Sequence, residues 1–582
     1  MADDGGTQKN SATPGFYFER FKYTELTLEM FGAIGDGVTD DTAAFQLAVN
    51  KNLPIKKTPG TVKITAPITS SSNLVLYGDG DNCIIDASSV TGSALKVDGA
   101  LTALPAIASV SAGALSVTFA SAPGLVVGDI FVIYNPTNSS YSGFRTNYRA
   151  GEFCEVKNIS GNTVTLKNAL YAGYVGASVN NYKLSSGVVS ISGIKIIGSN
   201  TPIEITKVIR PLVENVTTFN QSDNGVYFNK CYEPTGLNLT VTNKGTTLDD
   251  YGVVFGNCQH GKLSLSNIYA RRHAVITGGD AEIGCVPCRD IRIFNSTLKN
   301  DIDSGVHCAD FHGNTEDSSY EGCTIYGGAS WQGKNTHFRN CTIYAMSIGC
   351  VQYAAEILGG SFSMVNCDLY SSVDPSTTSR GMVDVGGNTS VLTASTTSAC
   401  TFSVKNCRLN GLNFINITSL MIVKVTGSTV PVNIEFSDNT INVNDMGQAL
   451  FASVPSGSTS PSYVVVDKNV GIASAKLLAN LAAGFLSAPM RMQGCSGVTS
   501  TSTTNGVASK AVNIVFRYTY PKNPIVNVTK SGANYNGNRV GIALVNSATT
   551  TGANIGIYTD DATTFNVSSA FDLNWTATIN EV

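Results

Sequence analysis

A six-residue pattern recurs through the middle of the chain and limits what it can fold into: an apolar residue, a variable one, Asn or Gly, Cys or Ser, another variable one, and a second apolar residue. Copies are Ile293-Phe294-Asn295-Ser296-Thr297-Leu298, Tyr320-Glu321-Gly322-Cys323-Thr324-Ile325 and Phe338-Arg339-Asn340-Cys341-Thr342-Ile343, then Met364-Val365-Asn366-Cys367-Asp368-Leu369 and Val404-Lys405-Asn406-Cys407-Arg408-Leu409. The Cys or Ser positions are separated by 27, 18, 26 and 40 residues. A strand–turn–strand unit of this size cannot bury its apolar side alone, but stacking on its neighbours does so, which is the solenoid solution. The uneven spacing predicts loops inserted on one flank. Stacked rungs would put Asn at one corner and Cys323, Cys341, Cys367 and Cys407 in an interior column.

That column also accounts for the thiols. The 14 cysteines are scattered over 582 residues, unlike the dense disulfide frameworks of small secreted domains, so they are read as reduced and buried. Cys285-Val286-Pro287-Cys288 is a lone pair with no second pair, too little for a zinc site. A net charge of −4 with no basic block argues against a nucleic-acid binder working by phosphate neutralisation. Forty-two per cent of the residues are hydrophobic, too many for a disordered chain. The start, Met1-Ala2-Asp3-Asp4, lacks the basic and apolar regions of a signal peptide. The longest strongly apolar stretch, Leu477 to Met490, is too short for a membrane span, so no membrane insertion is expected.

Residues 1–25 have no periodicity and read as an arm. They precede Leu28-Glu29-Met30-Phe31-Gly32-Ala33-Ile34-Gly35-Asp36-Gly37-Val38-Thr39-Asp40-Asp41-Thr42. Gly35 and Gly37 suit a tight turn, Thr39 or Asp40 can cap a helix, and Ala43 to Asn50 reads as that helix, with Ala44, Leu47 and Ala48 on its apolar face. Turn and cap roles account for Asp36, Asp40 and Asp41 without a metal. This segment closely resembles the opening motif of the pectate-lyase-like right-handed β-helix proteins, especially bacteriophage tailspikes that depolymerise bacterial capsules. The resemblance implies an all-β fold: a right-handed parallel β-helix with a short N-terminal capping helix, an inserted β subdomain and a C-terminal β-sandwich. It implies a homotrimer on the phage tail, made in the host cytoplasm, with bacterial capsular or surface polysaccharide as partner. The arm, too short for a particle-binding head, would be an attachment peptide for another tail protein.

The expected domains are the arm (1–25), the β-helix opening with its capping helix (26–100), an inserted β subdomain (101–180), the catalytic β-helix (181–470), a helical linker (471–496) and a lectin-like β-sandwich for trimerisation or carbohydrate binding (497–582). The insert rests on Val127 to Tyr134 and Tyr148 to Val156, which break the rung pattern and resemble the small β subdomain of tailspikes. Ala473 to Met490 reads as a helix. Alternating segments from Val512 onward read as sandwich strands, and Phe571 to Ala577 is like the last strand of small lectin-like trimer modules.

Titratable residues concentrate between 271 and 321, where three of the five histidines fall. Glycoside hydrolysis needs two carboxylates, one protonated and one ionised. Asp301-Ile302-Asp303 alternates so that both acids can face one groove, and Asp280-Ala281-Glu282 repeats the arrangement a rung earlier. These four are the candidate catalytic acids, although turn residues beside them offer a plainer role as solvated turn acids. Arg272-His273-Ala274 and Asp310-Phe311-His312-Gly313 resemble two short motifs of capsule-degrading tailspikes. Asp310 and His312 lie on one side of a strand, and a neighbouring rung can bring His273 to them. A His held by a carboxylate can serve as a base beside an Arg that stabilises a uronate, which is what a polysaccharide lyase needs. Arg272, His273, Asp310, His312, Trp331 and Tyr326 are therefore the candidate substrate-binding residues, the two aromatics as stacking platforms. Arg145, Arg149, Glu152 and Glu155 of the insert could join a shared site. No cofactor or metal set is assigned. Gly256-Asn257-Cys258-Gln259-His260-Gly261-Lys262 has phosphate-loop spacing, but Leu263 replaces the hydroxyl residue and a strand pattern follows, so a nucleotide site is rejected. Hydrolysis is the first expectation, β-elimination the second, and a non-catalytic glycan-binding adhesin the third.

Overall fold

The structure is a computed structural model. It describes residues 6–11, 13, 17–19, 25–141, 148–243, 250–279, 282–301, 306–345, 350–352, 357–371, 382–385, 399–411, 417–424, 432–443, 446–453, 464–471, 479–481, 490–492, 496–502, 509–515, 525–531, 541–549, 552–559 and 570–578. The chain divides into two compact units, the first spanning Met1–Cys350 and Glu356–Leu358, the second Val351–Ala355 and Gly359–Val582.

The first unit is a right-handed parallel β-helix preceded by the capping segment. Asp41 accepts backbone hydrogen bonds from Ile34 (2.7 Å) and Gly35 (3.0 Å), and Asp36 from Val38 and Thr39. The helix α1 (Thr42–Val49) follows, with Asp41 rather than Thr39 or Asp40 at its N-cap. It buries Ala44, Phe45, Ala48 and Val49, whereas Leu47 is exposed, because Phe45 rather than Leu47 faces the core.

One sheet of the β-helix carries the site. Its strands in this unit are β1 (Ile68–Ser70), β2 (Ser93–Asp98), β3 (Thr201–Thr206), β4 (Asn224–Asn229), β5 (Tyr251–Gly256), β6 (His273–Gly278), β7 (Ala309–Phe311) and β8 (Ala329–Ser330), all parallel and adjacent in this order. Inward positions stack in register: Leu95, Ile203, Val226, Val253, Val275, Ala309 and Ala329 form one fully buried column. On another sheet, Ile191, Val213, Gly236, Leu263, Ile293, Tyr320 and Phe338 form a second. Stacking keeps the ladder hydrogen-bonded while burying alternate side chains, which is why the rung sequence alternates.

The repeated Asn is explained by the backbone. Asn215, Asn238, Asn295 and Asn340 occupy the same corner of their rungs with φ of 51°, 51°, 45° and 53°, the left-handed region that Asn tolerates better than branched residues. Gly322 fills that corner at φ 64°, which costs glycine nothing. The residue after the corner turns inward: Cys323 and Cys341 are buried, and every described cysteine is a buried, reduced thiol. Cys288 donates to the carbonyls of Phe255 and Gly278, both at 3.0 Å, and burial pushes its thiol up to about 11, so it stays protonated. Lys262 to Ser264 is a strand rather than the helix a phosphate loop would open.

The insert is a six-stranded antiparallel sheet in the order Leu101–Ala103, Asn180–Leu184, Ile130–Tyr134, Gly151–Ser160, Thr163–Leu166, Ser116–Thr118. Three of its charged residues have partners within the chain. Glu152 is buried and accepts from the backbone of Tyr171 and Ala172 and from the Tyr174 hydroxyl at 2.7 Å. Arg149 is buried and donates to Pro136 O and Asn138 Oδ1, while Glu155 pairs with Lys167 and Arg210. Arg145 lies outside the described residues. The insert docks on the β-helix through Tyr171, which covers the guanidinium of Arg289 at 3.8 Å; Arg289 and Glu316 are a buried pair joined at 2.9 and 2.7 Å.

His337, half-buried on the strand Gly333–Arg339, supplies a pH dependence. Burial pushes its pKa down to about 4, and Arg339 pushes the same way. The folded chain therefore keeps the ring neutral where the unfolded chain, titrating near 6.5, takes up a proton. Stability should be fully present above about pH 6.5 and fall as pH drops towards 4. Thermal melts of wild type and His337→Gln across that range check this; equal pH slopes would exclude His337 as a contributor.

The second unit continues with rungs of the same kind, in which Asn366 and Asn406 take positive φ and the thiol of Cys407 meets the backbone N–H of Cys367 at 3.4 Å. Its last third has two three-stranded antiparallel sheets: Ser496–Ser502, Ala570–Thr578 and Ile525–Ser531 in one, Ser509–Val515, Gly552–Thr559 and Gly541–Thr549 in the other. The helix expected over 473–490 is corrected at both described points. Ala479–Leu481 and Met490–Met492 are strands, paired parallel to Met446–Ser453 and Val464–Asp467. Helix propensity of an Ala- and Leu-rich stretch is a weak preference that ladder pairing overrides. Residues 472–478 and 482–489 lie outside the described ones.

Candidate active site

Two strands of the sheet and the turn after β7 bring His273, Asp310 and His312 together on its outer face. Ile276 pairs with Asp310, so the outward column of β6 runs directly into β7. Asp310 is buried. Its Oδ2 lies 3.0 Å from His312 Nε2 and 3.4 Å from His273 Nε2. Its Oδ1 accepts from the Ser330 hydroxyl and from Gln332 Nε2 at 3.2 Å. Burial works to raise the carboxyl, but the two imidazoles and the His312 hydrogen bond outweigh it and hold Asp310 well below the usual carboxylate range. A carboxylate held ionised in this way serves as an acceptor for the imidazoles rather than as the proton donor of a hydrolase.

The imidazoles differ. His273 is buried, and its Nδ1 lies 2.5 Å from the carbonyl of His307. A carbonyl only accepts, so Nδ1 carries the proton. Burial pushes the His273 pKa down against the pull of Asp310, leaving the ring neutral. His312 keeps 23% of its side chain exposed. A Cβ added at Gly278 would lie 3.4 Å from its Nδ1, so glycine leaves that nitrogen room on the floor of the sheet.

Tyr251, one rung before His273, stacks on it with ring centres 5.5 Å apart and planes at 8°. Arg272 donates to the Tyr251 hydroxyl at 3.1 Å and holds its guanidinium over that ring. Tyr251, Ser330, Gln332 and the His307 carbonyl escaped the sequence reading. The signal for Tyr251 was its place one rung before His273; a backbone carbonyl leaves no signal.

Two of the remaining candidates have partners of their own. Asp301 accepts from the Tyr269 hydroxyl, whose pKa it pushes up to about 12. Glu282 is exposed and paired with buried Lys230, whose hydrogen bond and charge lower its pKa. Asp280 and Asp303 fall outside the described residues, so neither expected carboxylate pair is seen complete. Trp331 is corrected: it is fully buried, because the residue after Ser330 turns inward, and it cannot stack on a sugar. Tyr320 is likewise core. Tyr326 is half-buried on a different sheet, its ring stacked on Tyr344 at 4.7 Å. Among the described residues, only His273, Asp310 and His312 form a cluster of metal-ligating groups, with donor atoms within 4.8 Å of one another. No described helix is long and apolar enough to cross a membrane.

Residues 222–475 match the family described as Gp49, pectin lyase-like, and residues 96–184 match the tailspike protein-like, Ig-like domain, which corresponds to the insert. No curated protein matches the chain. Among solved structures, the tailspike gp49 of Pseudomonas phage LKA1 is 46% identical, with 96% of this chain and 100% of that one covered at a TM-score of 0.79. The phi297 tailspike gp61, from another Pseudomonas phage, is 23% identical over 96% of this chain and 100% of its own, with a TM-score of 0.74. The gp54 tailspike of Acinetobacter baumannii phage AP22, solved with a capsular saccharide, is 19% identical over 96% of both chains at 0.68. The last two share the fold. Identity of 46% along nearly the whole of both chains goes further: this chain belongs to the gp49 family of phage tailspikes, built on a pectin-lyase-like β-helix.

Proposed function

We propose that the chain binds and depolymerises an acidic bacterial surface polysaccharide, and that the cut is a β-elimination made at His312, Asp310 and Arg272. The observation that carries this is the buried carboxylate of Asp310, 3.0 Å from His312 Nε2. Asp310 accepts the Nε2 proton of His312 and fixes the tautomer, so Nδ1, above Gly278, keeps its lone pair. In the elimination that nitrogen takes the proton α to the uronate carboxylate, the C4–O bond breaks, and a C4=C5 double bond forms. Arg272 offers the charge that steadies the carboxylate as it takes on enolate character, and the Tyr251 hydroxyl beside it is the group to protonate the departing oxygen. Hydrolysis fares worse on the same geometry: Asp301 and Glu282 are tied to Tyr269 and Lys230.

The test is mass spectrometry of fragments released from a panel of purified capsular polysaccharides. Products without added water and with a new ultraviolet-absorbing double bond are expected; products that gained water would overturn the elimination. Asp301→Ala should slow cleavage no more than a few-fold, and loss of activity there would return the hydrolytic carboxylates to the lead. The same reading carries a homotrimer on the phage tail, attached through residues 1–25, which light scattering of the purified chain would check.

A further inference from the structure

We propose that His273, Asp310 and His312 form a binding site for a late first-row divalent cation of the zinc class, and that its capture switches the cleavage off. The second half rests on the function proposed above; the first stands on geometry alone.

His273 donates its Nδ1 proton to the His307 carbonyl, so its Nε2 presents a lone pair, and what that lone pair faces at 3.4 Å is another acceptor, Asp310 Oδ2. A cation lying between these two buried atoms would serve both as ligands. His312 Nε2 meets the same oxygen at 3.0 Å from a nearly perpendicular ring, 89° from that of His273. Bonds of about 2.0–2.1 Å give ligand–ligand edges of about 2.9 Å in an octahedron and about 3.3 Å in a tetrahedron; the edges of 3.0 and 3.4 Å to Asp310 Oδ2 lie within about 0.1 Å of that range, and all three donor atoms lie within 4.8 Å of one another. The surroundings match what orients metal ligands: the far nitrogen of His273 on a backbone carbonyl, and the far oxygen of Asp310 held by Ser330 and Gln332. Two imidazoles and one carboxylate favour zinc-class ions over calcium or magnesium, which take oxygen ligands. The exposed side of His312 leaves an open position towards the groove.

Coordination through His312 Nε2 displaces the proton that this nitrogen gives to Asp310, and the neutral ring then carries its proton on Nδ1. That is the nitrogen the elimination needs bare. The cation and the reaction thus compete for the two tautomers of one ring.

The test is a titration of the metal-free, tag-free chain with Co²⁺, read by its visible d–d absorption, with Zn²⁺ as competitor. One Co²⁺ per chain, displaced by Zn²⁺, is expected, with His260→Ala unchanged because His260 pairs with Asp290 away from the cluster. Asp310→Asn and His273→Gln should weaken binding by about 10–100-fold or more, and Ser330→Ala, which leaves all three ligands in place, by about tenfold. No absorption in the wild-type chain, or the same affinity in all three variants, would overturn the site. Zn²⁺ at saturation should stop polymer cleavage and a chelator restore it; undiminished cleavage with the site filled would overturn the switch. Co²⁺ binding in a chain that cuts no polymer would leave the metal site standing and remove the proposed function instead.

Discussion

Asp310→Asn should leave the tailspike able to hold its polysaccharide and nearly unable to cut it. The change keeps the size of the side chain and the acceptor towards Ser330, so the fold around it should survive. What it removes is the anion that selects the His312 tautomer. Asparagine can offer its N–H₂ to His312 Nε2, which draws the imidazole proton to Nδ1 and blocks the base. Loss of an orienting carboxylate behind a catalytic histidine costs on the order of 10³–10⁴ in turnover in comparable dyads. The expected result is therefore a kcat reduced by about that factor, with polymer affinity within a few-fold of wild type. Product absorbance gives the first quantity and calorimetry with the purified polymer the second. A variant that cuts within tenfold of wild type would separate Asp310 from the chemistry. Circular dichroism and a melt must accompany the kinetics, because a buried position can lose activity by unfolding.

Glu316→Ala should be the most destabilising single change on the insert-facing side of the β-helix. Arg289 and Glu316 are both nearly inaccessible, joined by two hydrogen bonds, and Tyr171 of the insert lies flat on the guanidinium. Removing the carboxylate strands a buried cation, which costs about 3–5 kcal/mol in comparable pairs. Because Tyr171 belongs to the insert, docking of the insert should loosen in the same variant and expose the 101–180 segment to protease. The double change Arg289→Met with Glu316→Leu removes both charges at similar volume and should recover most of the loss. A destabilisation below about 1 kcal/mol for Glu316→Ala, in denaturant titrations of the intact chain, would mean that water reaches Arg289.

The rungs were legible because their two signals are backbone signals. Alternation marks the buried columns, and Asn marks a corner that must adopt positive φ, as at Asn295 and Asn340. Leu265 takes the same corner at φ 53° with no such residue to announce it, so a rung lacking Asn disappears from the pattern. The cluster of His273, Asp310 and His312 was within reach because each is one strand step or one rung from the next. Trp331 was misplaced because a β-helix turns inward at positions that neighbouring Gly, Ala and Ser residues do not reveal. The carboxylates were weighted for their spacing alone. Sequence carries no sign that Lys230, 52 residues earlier, reaches Glu282, or that Tyr269 reaches Asp301. The linker failed for the opposite reason: local composition favoured a helix, and pairing with the preceding rungs decided otherwise.

Tyr251, His273 and Asp310 come from three consecutive strands, so their separation is set by the strand spacing of about 4.8 Å and not by the 22 or 37 residues of chain between them. Distance in the site and length of the chain are thereby independent variables. A loop at a rung corner can grow, shrink or be exchanged without moving the reacting groups, and whole rungs can be gained or lost far from them at no cost to their alignment. In a tailspike of this build the loops can therefore vary quickly while the spacing of these three side chains is inherited intact.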